Sequence, residues 1–151
     1  MLTPQGPKLV EYNARFGDPE CQVLMLRLES DLLELMLACA KGTLANAPAP
    51  VFSGEAALVV VMAAENYPET PKTGGAIAGL DQPGAMVFHA GTALQGDKLV
   101  ASGGRVLGVA ALGKDVAEAQ AAAYRAVDGI DFPTGFCRRD IGWREIERGA
   151  S

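Results

Sequence analysis

The sequence predicts an α+β fold: a strand and two short helices, then a small antiparallel β-rich region covered by one helix. Three observations carry this reading. Lys8 to Phe16 alternates apolar and polar residues and is followed by two apolar stretches at helical spacing. Between Glu55 and Gly113, short apolar runs alternate with tight glycine-containing turns, the pattern of antiparallel strands. Asp115 then opens an alanine-rich segment with one apolar face, the pattern of a helix that covers a sheet.

Taken in order, Pro4–Gln5–Gly6–Pro7 reads as a turn, which makes Leu2 to Lys8 a hairpin leading into the Lys8–Glu20 stretch. Asp18, Pro19 and Glu20 read as an N-cap, a first-turn proline and an early acidic residue, so a helix begins there. Cys21, Leu24, Met25 and Leu28 form its apolar face. Ser30 caps a second helix, in which Leu32, Leu35, Met36 and Cys39 are expected to be buried and which Gly42 ends. Ala45 to Pro50, rich in alanine and proline, reads as a linker and sets the expected boundary between residues 1–45 and residues 46–151.

Beyond the linker, Ala57 to Ala63 is a nearly continuous apolar run, as in a strand covered on both faces. Asn66 to Gly75 is a polar loop. Ala76–Leu80, Met86–Ala93, Lys98–Ser102 and Arg105–Ala111 are further strands, separated by Asp81–Gly84, Gln95–Asp97 and Gly103–Gly104. Val116, Ala119, Ala123, Val127 and Ile130 face inward on the helix that Asp115 caps. The apolar residues of the Phe136–Arg148 tail, Trp143 among them, are expected to dock while its end frays.

Composition excludes several classes of function. The chain has 151 residues, 49% of them hydrophobic, enough for one core. A formal net charge of −5 with scattered Lys and Arg leaves no electrostatic footprint for nucleic acid or an anionic membrane. Cys21, Cys39 and Cys137 are odd in number and widely spaced, which argues against a disulfide framework or a zinc site and for reduced thiols in a cytoplasmic protein. The sequence has no run long enough for a membrane span and no secretory-signal plan at its start.

The residues that could carry chemistry lie in two places. Glu11, Asn13 and Arg15 share one face of the predicted strand, where a carboxylate and an amide oxygen two residues apart make a hard-oxygen platform suited to Mg²⁺. Arg15 can grip a substrate carboxylate or phosphate. The same spacing also suits the polar face of an edge strand. Ser102–Gly103–Gly104–Arg105 can direct backbone N–H groups and a guanidinium at a phosphate, or can be a hairpin turn with an exposed arginine. His89 reads as a hydrogen-bonded structural residue. Arg138, Arg139 and Asp140 read as a solvated surface cluster.

VEYNARFGDPECQ, followed by VLMLRLESDLLELMLACAKGTL, VFHAGT, SGGRVLGVAALG and FCRRDIGWREIER, resembles the end of the ATP-grasp domain and the C-terminal domain of the phosphoribosylamine-glycine ligases, also called glycinamide ribonucleotide synthetases. The likeness covers nearly the whole chain. It implies that residues 1–45 are the remnant of an ATP-grasp subdomain and residues 46–151 the β-rich C-terminal domain. The activity implied is ATP-dependent ligation of glycine to 5-phosphoribosylamine in purine synthesis, through a glycyl phosphate, with ADP and phosphate as co-products. The resemblance makes Glu11 and Asn13 ligands of Mg²⁺ or Mn²⁺. Arg15 orients a carboxylate or acyl phosphate, and Asp18 holds an amine, although its capping role explains it as well. Arg105, with Gly103 and Gly104, meets the substrate phosphate.

Members of that family carry several hundred residues before this point. The chain is therefore expected to be a C-terminal fragment, inactive alone, without ordered Mg²⁺ or ATP, and open to self-association through the Leu9/Tyr12 strand edge. Two other readings stand beside it. One is a non-catalytic binding or assembly module in which an old metal strand has become structural. The other is a carboxylase-type ATP-grasp relative, which would share E-x-N-x-R but not FGDPE or GGRVLGVAALG.

Overall fold

A computed structural model of the chain describes residues 1–149. Its centre is a four-stranded antiparallel sheet in the order β4-β7-β3-β8, built from β3 (Ala56–Ala64), β4 (Met86–His89), β7 (Arg105–Gly113) and β8 (Gly135–Phe136). The two long strands, β3 and β7, run from the Ala56↔Gly113 pair to Met62↔Leu107, with a register shift just before Ala63↔Arg105. A separate hairpin joins β5 (Thr92–Gln95) to β6 (Lys98–Ala101).

The core forms because β3 alternates. Leu58, Val60, Met62 and Ala64 are buried together with Val106, Leu107, Val109 and Ala111 of β7, under α3 (Val116–Gly129). Burying each Leu, Val or Met of this layer contributes about 1.5–3 kcal/mol. Asp115 caps α3 by accepting from the Glu118 N–H at 2.8 Å, as its sequence predicts. Ala119, Ala123, Ala126, Val127 and Ile130 are buried, and the small residues let the helix lie close to the sheet. Gly113 is part of that closeness, because a Cβ there would come within 2.9 Å of the Glu118 backbone carbon.

The opposite sheet face is covered in part. α1 (Glu20–Arg27) lies against β3 and β7, so β3 has neighbours on both faces, as its continuous apolar run requires. α2 (Leu32–Ala40) follows, and neither α1 nor α2 has a buried residue. The burial expected for Leu32, Leu35, Met36 and Cys39 is thus not reached: Leu32 and Leu35 are half-buried, and Met36 and Cys39 are exposed. Among the described residues nothing closes fully over them.

Other local expectations also need correction. Lys8 to Asn13 forms no strand; pairing stops at a short hairpin of β1 (Leu2–Thr3) with β2 (Gly6–Pro7), extended by Lys8 N–H donating to Met1 O at 2.8 Å. A strand needs a ladder partner, and none reaches Leu9 (68% exposed) or Tyr12 (88% exposed) among the described residues. α1 begins at Glu20 after Pro19 without a side-chain cap, because the Asp18 carboxylate is engaged elsewhere. Asp31, not Ser30, caps α2, accepting from Leu33 N–H at 2.8 Å, while Ser30 Oγ accepts from Val51 N–H at 2.7 Å and pins the end of the linker.

Two predicted strands are divided. Ala76–Leu80 makes only single bridges, Ala76 to Val100 and Ala78 to Asp131, because its neighbours belong to different parts of the fold. Met86–Ala93 splits into β4 and β5 where Gly91 donates to Arg105 O at 2.9 Å and accepts from Ser102 N–H at 2.7 Å, passing the chain from one ladder to the other. In the tail, Cys137 and Ile141 pack against the core, but Phe136 and Trp143 stay largely exposed, and α4 (Trp143–Gly149) follows. The end of the Phe136–Arg148 tail, expected to fray, is instead helical through Gly149.

Candidate functional site

The two stretches singled out in the sequence meet at one point. Arg105 opens β7, and its Nη2 lies 3.1 Å from Asp18 Oδ2 while its Nη1 donates to the Asp18 carbonyl at 3.3 Å. The strand end is thereby tied to the loop that precedes α1. Gln22, the third residue of α1, donates from Nε2 to Asp18 Oδ1 at 3.4 Å, so both carboxylate oxygens have partners. Gln22 also lies against Gly108, where a Cβ would come 3.8 Å from its Cγ.

Glu11 and Asn13 stay together although the strand that was to align them is absent. Asn13 Nδ2 donates to Glu11 Oε1 at 3.1 Å, and both side chains are exposed. The hydrogen bond does not engage Glu11 Oε2 or Asn13 Oδ1, and carboxylate and amide oxygens are the hard donor type that Mg²⁺ or Mn²⁺ takes. Among the described residues no group of three or more His, Cys, Asp or Glu forms a closed metal cage. The pair supplies two oxygen-bearing side chains toward the roughly six ligands such a cation takes. Arg15 donates to the neighbouring Phe16 carbonyl at 2.8 Å.

Gly103 and Gly104 are small for packing reasons. A Cβ on Gly104 would strike the Tyr67 ring, and one on Gly103 would come 3.3 Å from Gly91 Cα. That closeness seats the 66–71 loop beside Arg105. A cavity of about 400 Å³ opens there, with Val59, Val61 and Ala63 of β3 as its floor and Tyr67, Arg105 and Phe136 among its walls. Sequence reasoning missed Tyr67 and Gln22, since nothing in their spacing relates them to residues so distant in the chain.

On the far side of this cavity the Arg138–Asp140 cluster is held by its own ion pairs. Arg138 Nη2 meets Asp140 Oδ2 at 2.7 Å and Arg139 Nη1 meets Asp128 Oδ1 at 2.6 Å. The hydrogen bond from Arg138 holds the Asp140 carboxyl below the usual carboxylate range, and both guanidiniums are raised by their carboxylate partners. Burial pushes the Cys137 thiol up, against a smaller opposing pull from Arg139. His89 Nδ1 and Thr92 Oγ1 lie 3.1 Å apart at the β4–β5 junction, as expected of a structural histidine.

Fold and site together define a class: a small α+β module in which the loop before α1 is tied through Asp18 to Arg105 at the start of a sheet strand. Residues 57–144, more than half of the chain, match the family described as phosphoribosylglycinamide synthetase, C domain, and the chain belongs to that family. It is 59% identical over 98% of its length to the phosphoribosylamine-glycine ligase of Caulobacter vibrioides, of which it covers 36%. Against the phosphoribosylamine-glycine ligase of Mesorhizobium japonicum the identity is 58%, over 98% of this chain and 35% of that protein. The crystal structure of the phosphoribosylamine-glycine ligase of Thermotoga maritima superposes with a TM-score of 0.72 at 32% identity, covering 93% of this chain and 34% of that one. The chain thus spans about a third of the length of the relatives it matches.

Proposed function

We propose that this chain serves as the C-terminal third of an ATP-grasp ligase that joins glycine to 5-phosphoribosylamine, giving glycinamide ribonucleotide, ADP and phosphate. The observation that carries the reading is the near-complete alignment, at 59% identity, with a relative of that name. In the reaction, the glycine carboxylate attacks the γ-phosphate of ATP and the amine of 5-phosphoribosylamine displaces phosphate from the resulting acyl phosphate. Two anions must meet in the first step, so positioning and charge neutralisation dominate the barrier.

Each candidate residue has a task that suits its surroundings. Glu11 and Asn13, which stay in hydrogen-bond contact, would hold Mg²⁺ or Mn²⁺ through side-chain oxygens, and the ion would offset phosphate charge. Arg15, on the same exposed segment, orients the carboxylate or acyl phosphate. Arg105, on the cavity wall, receives the substrate phosphate, with Gly103 and Gly104 beside it in the chain. In this reading Asp18, which pairs with Arg105 and Gln22, holds the incoming amine and gives up Arg105 when a phosphate arrives.

The division at residues 45 and 46 belongs to the same proposal and is supported by the proline-rich crossing and by a family match that begins at residue 57. So does a cytoplasmic setting, which suits the three free cysteines; no described helix is long and apolar enough to cross a membrane. On its own the chain is expected to be inactive. The test joins it to the preceding two thirds of the Caulobacter vibrioides ligase and follows ADP formation over a Mg²⁺ titration. Glu11→Ala should demand far more Mg²⁺ or abolish turnover, and Arg105→Ala should raise the KM for 5-phosphoribosylamine. Unchanged kinetics in both variants would defeat the assignment.

A further inference from the structure

The cavity beside Arg105 has a second cation in its wall. Its lining carries two charged side chains, Arg105 and Arg138, and no carboxylate, over the apolar floor of Val59, Val61 and Ala63. The sheet sets the two arginines on either flank of one strand. Ala63 of β3 pairs with Arg105 of β7 on one side and with Phe136 of β8 on the other, and Arg138 follows two residues later. Neighbouring strands lie about 4.8 Å apart, so the backbones at Arg105 and Phe136 are separated by about 10 Å across Ala63. Side chains of α3 fix the segment beyond β8: Tyr124 Oη donates to Arg138 O at 2.8 Å and accepts from Ile141 N–H at 3.1 Å, and Gln120 Nε2 donates to Ile141 O at 2.6 Å. Asp140 orients the guanidinium, accepting from Arg138 Nε at 2.9 Å and from Nη2 at 2.7 Å. These bonds engage two of the five N–H donors of a guanidinium, and the others are the ones a second acceptor would use. Arg139 makes the contrast: its Nη1 meets Asp128 at 2.6 Å, its guanidinium carbon lies 5.6 Å from the Tyr124 ring centroid, and it does not line the cavity.

We propose that Arg138 is a second phosphate-binding residue, holding the phosphate of a ribose-phosphate substrate from the β8 side of the cavity while Arg105 holds it from the β7 side. A phosphate monoester carries about two negative charges at neutral pH, and guanidiniums bind its oxygens in bidentate pairs, so two arginines match it where one leaves a charge uncompensated. The Arg138–Asp140 pair is exposed and screened by solvent, so yielding part of it to a dianion costs little. The floor of Val59, Val61 and Ala63 offers no side-chain acceptor that would compete for either guanidinium. A residue that reads as surface charge in the sequence thereby becomes a contact for the substrate, and its neighbour Arg139 does not. The identity of the phosphate rests on the functional reading above; the pairing of the two arginines in one cavity does not.

The probe is ribose 5-phosphate, with ribose as the uncharged control. Binding to the 151-residue chain at low ionic strength is followed through the arginine Nε–H signals by NMR, and the KM for 5-phosphoribosylamine is measured in the chain joined to the preceding two thirds of the Caulobacter vibrioides ligase. The side chains of Arg138 and Arg139 are both more than half exposed, so Arg138→Gln and Arg139→Gln should fold alike. The expected result is a saturable shift of the Arg105 and Arg138 signals with ribose 5-phosphate and none with ribose. Arg138→Gln should raise the dissociation constant about tenfold or more, as the loss of a charged hydrogen bond does, and Arg138→Lys should restore part of it. Arg139→Gln, which removes the same charge one residue away, should change it by less than about twofold. In the joined protein, Arg138→Gln should raise the KM for 5-phosphoribosylamine by a similar factor and leave the KM for glycine and for ATP unchanged. No saturable binding by the unsubstituted chain, an effect of Arg138→Gln no larger than that of Arg139→Gln, or an unchanged KM for 5-phosphoribosylamine in Arg138→Gln overturns the proposal. A joined protein that folds but turns nothing over counts against the functional reading, and the binding measurements on the chain alone then decide the case for Arg138.

Discussion

The Asp18–Arg105 pair is where the two parts of the candidate site meet, and a double-mutant cycle measures that link. The perturbation is Asp18→Asn and Arg105→Gln, singly and together, in the 151-residue chain. The two side chains are 44% and 41% exposed and 3.1 Å apart, so solvent screening confines their mutual contribution to about 0.2–1 kcal/mol. Arg105 also donates to the Asp18 carbonyl, a bond that Asp18→Asn leaves in place. Arg105→Gln alone should therefore cost more than Asp18→Asn alone, by about 0.5–1.5 kcal/mol for the lost hydrogen bond. The assay is urea unfolding at low ionic strength, repeated at about 1 M salt, where the Debye length of about 3 Å should remove most of the coupling. A coupling energy indistinguishable from zero at low salt would refute the geometry, and one above about 2 kcal/mol that survives salt would refute the account of it as a solvent-screened pair.

Three further outcomes follow from the fold. Leu107, 1% exposed at the centre of the sheet, should lose about 2–5 kcal/mol of stability on substitution by alanine, measured by the same urea unfolding. Asp140 has a folded-state pKa below its unfolded value, so its ion pair with Arg138 is intact above the ordinary carboxylate range and is lost as pH falls through the depressed value; carboxyl NMR titration should find a low midpoint that returns to normal in Arg138→Gln. Thiol labelling at pH 8 should modify exposed Cys39 first and Cys137 last, because burial raises the Cys137 pKa and lowers its thiolate fraction; the order is read by mass spectrometry of partly labelled protein.

What was legible in the sequence is what local pattern decides. Asp115 and the Val116–Ile130 periodicity specify α3, and the unbroken run from Ala57 to Ala63 specifies a strand with neighbours on both faces; both elements appear as expected. What was not legible depends on residues far away in the chain. Leu9 to Tyr12 alternates like a strand, but alternation cannot provide the ladder partner that makes one. Asp18 has the residue type and position of an N-cap, yet Arg105, 87 residues later, takes its carboxylate. Ser30 and Asp31 are both capping residues; the long-range bond from Val51 N–H to Ser30 Oγ leaves the cap to Asp31. In the candidate site, Glu11 and Asn13 were singled out from their spacing on a strand that does not form, whereas the meeting of Asp18, Gln22 and Arg105 existed only in three dimensions.

The most direct test of the central claim is ADP release with glycine, 5-phosphoribosylamine and Mg²⁺-ATP, compared between the 151-residue chain alone and the chain joined to the preceding two thirds of the Caulobacter vibrioides ligase. The account predicts no turnover by the chain alone and glycine-dependent turnover by the joined protein that Glu11→Ala abolishes. A joined, folded protein that releases no glycine-dependent ADP would contradict it, as would turnover by the chain alone at a rate near that of the intact ligase.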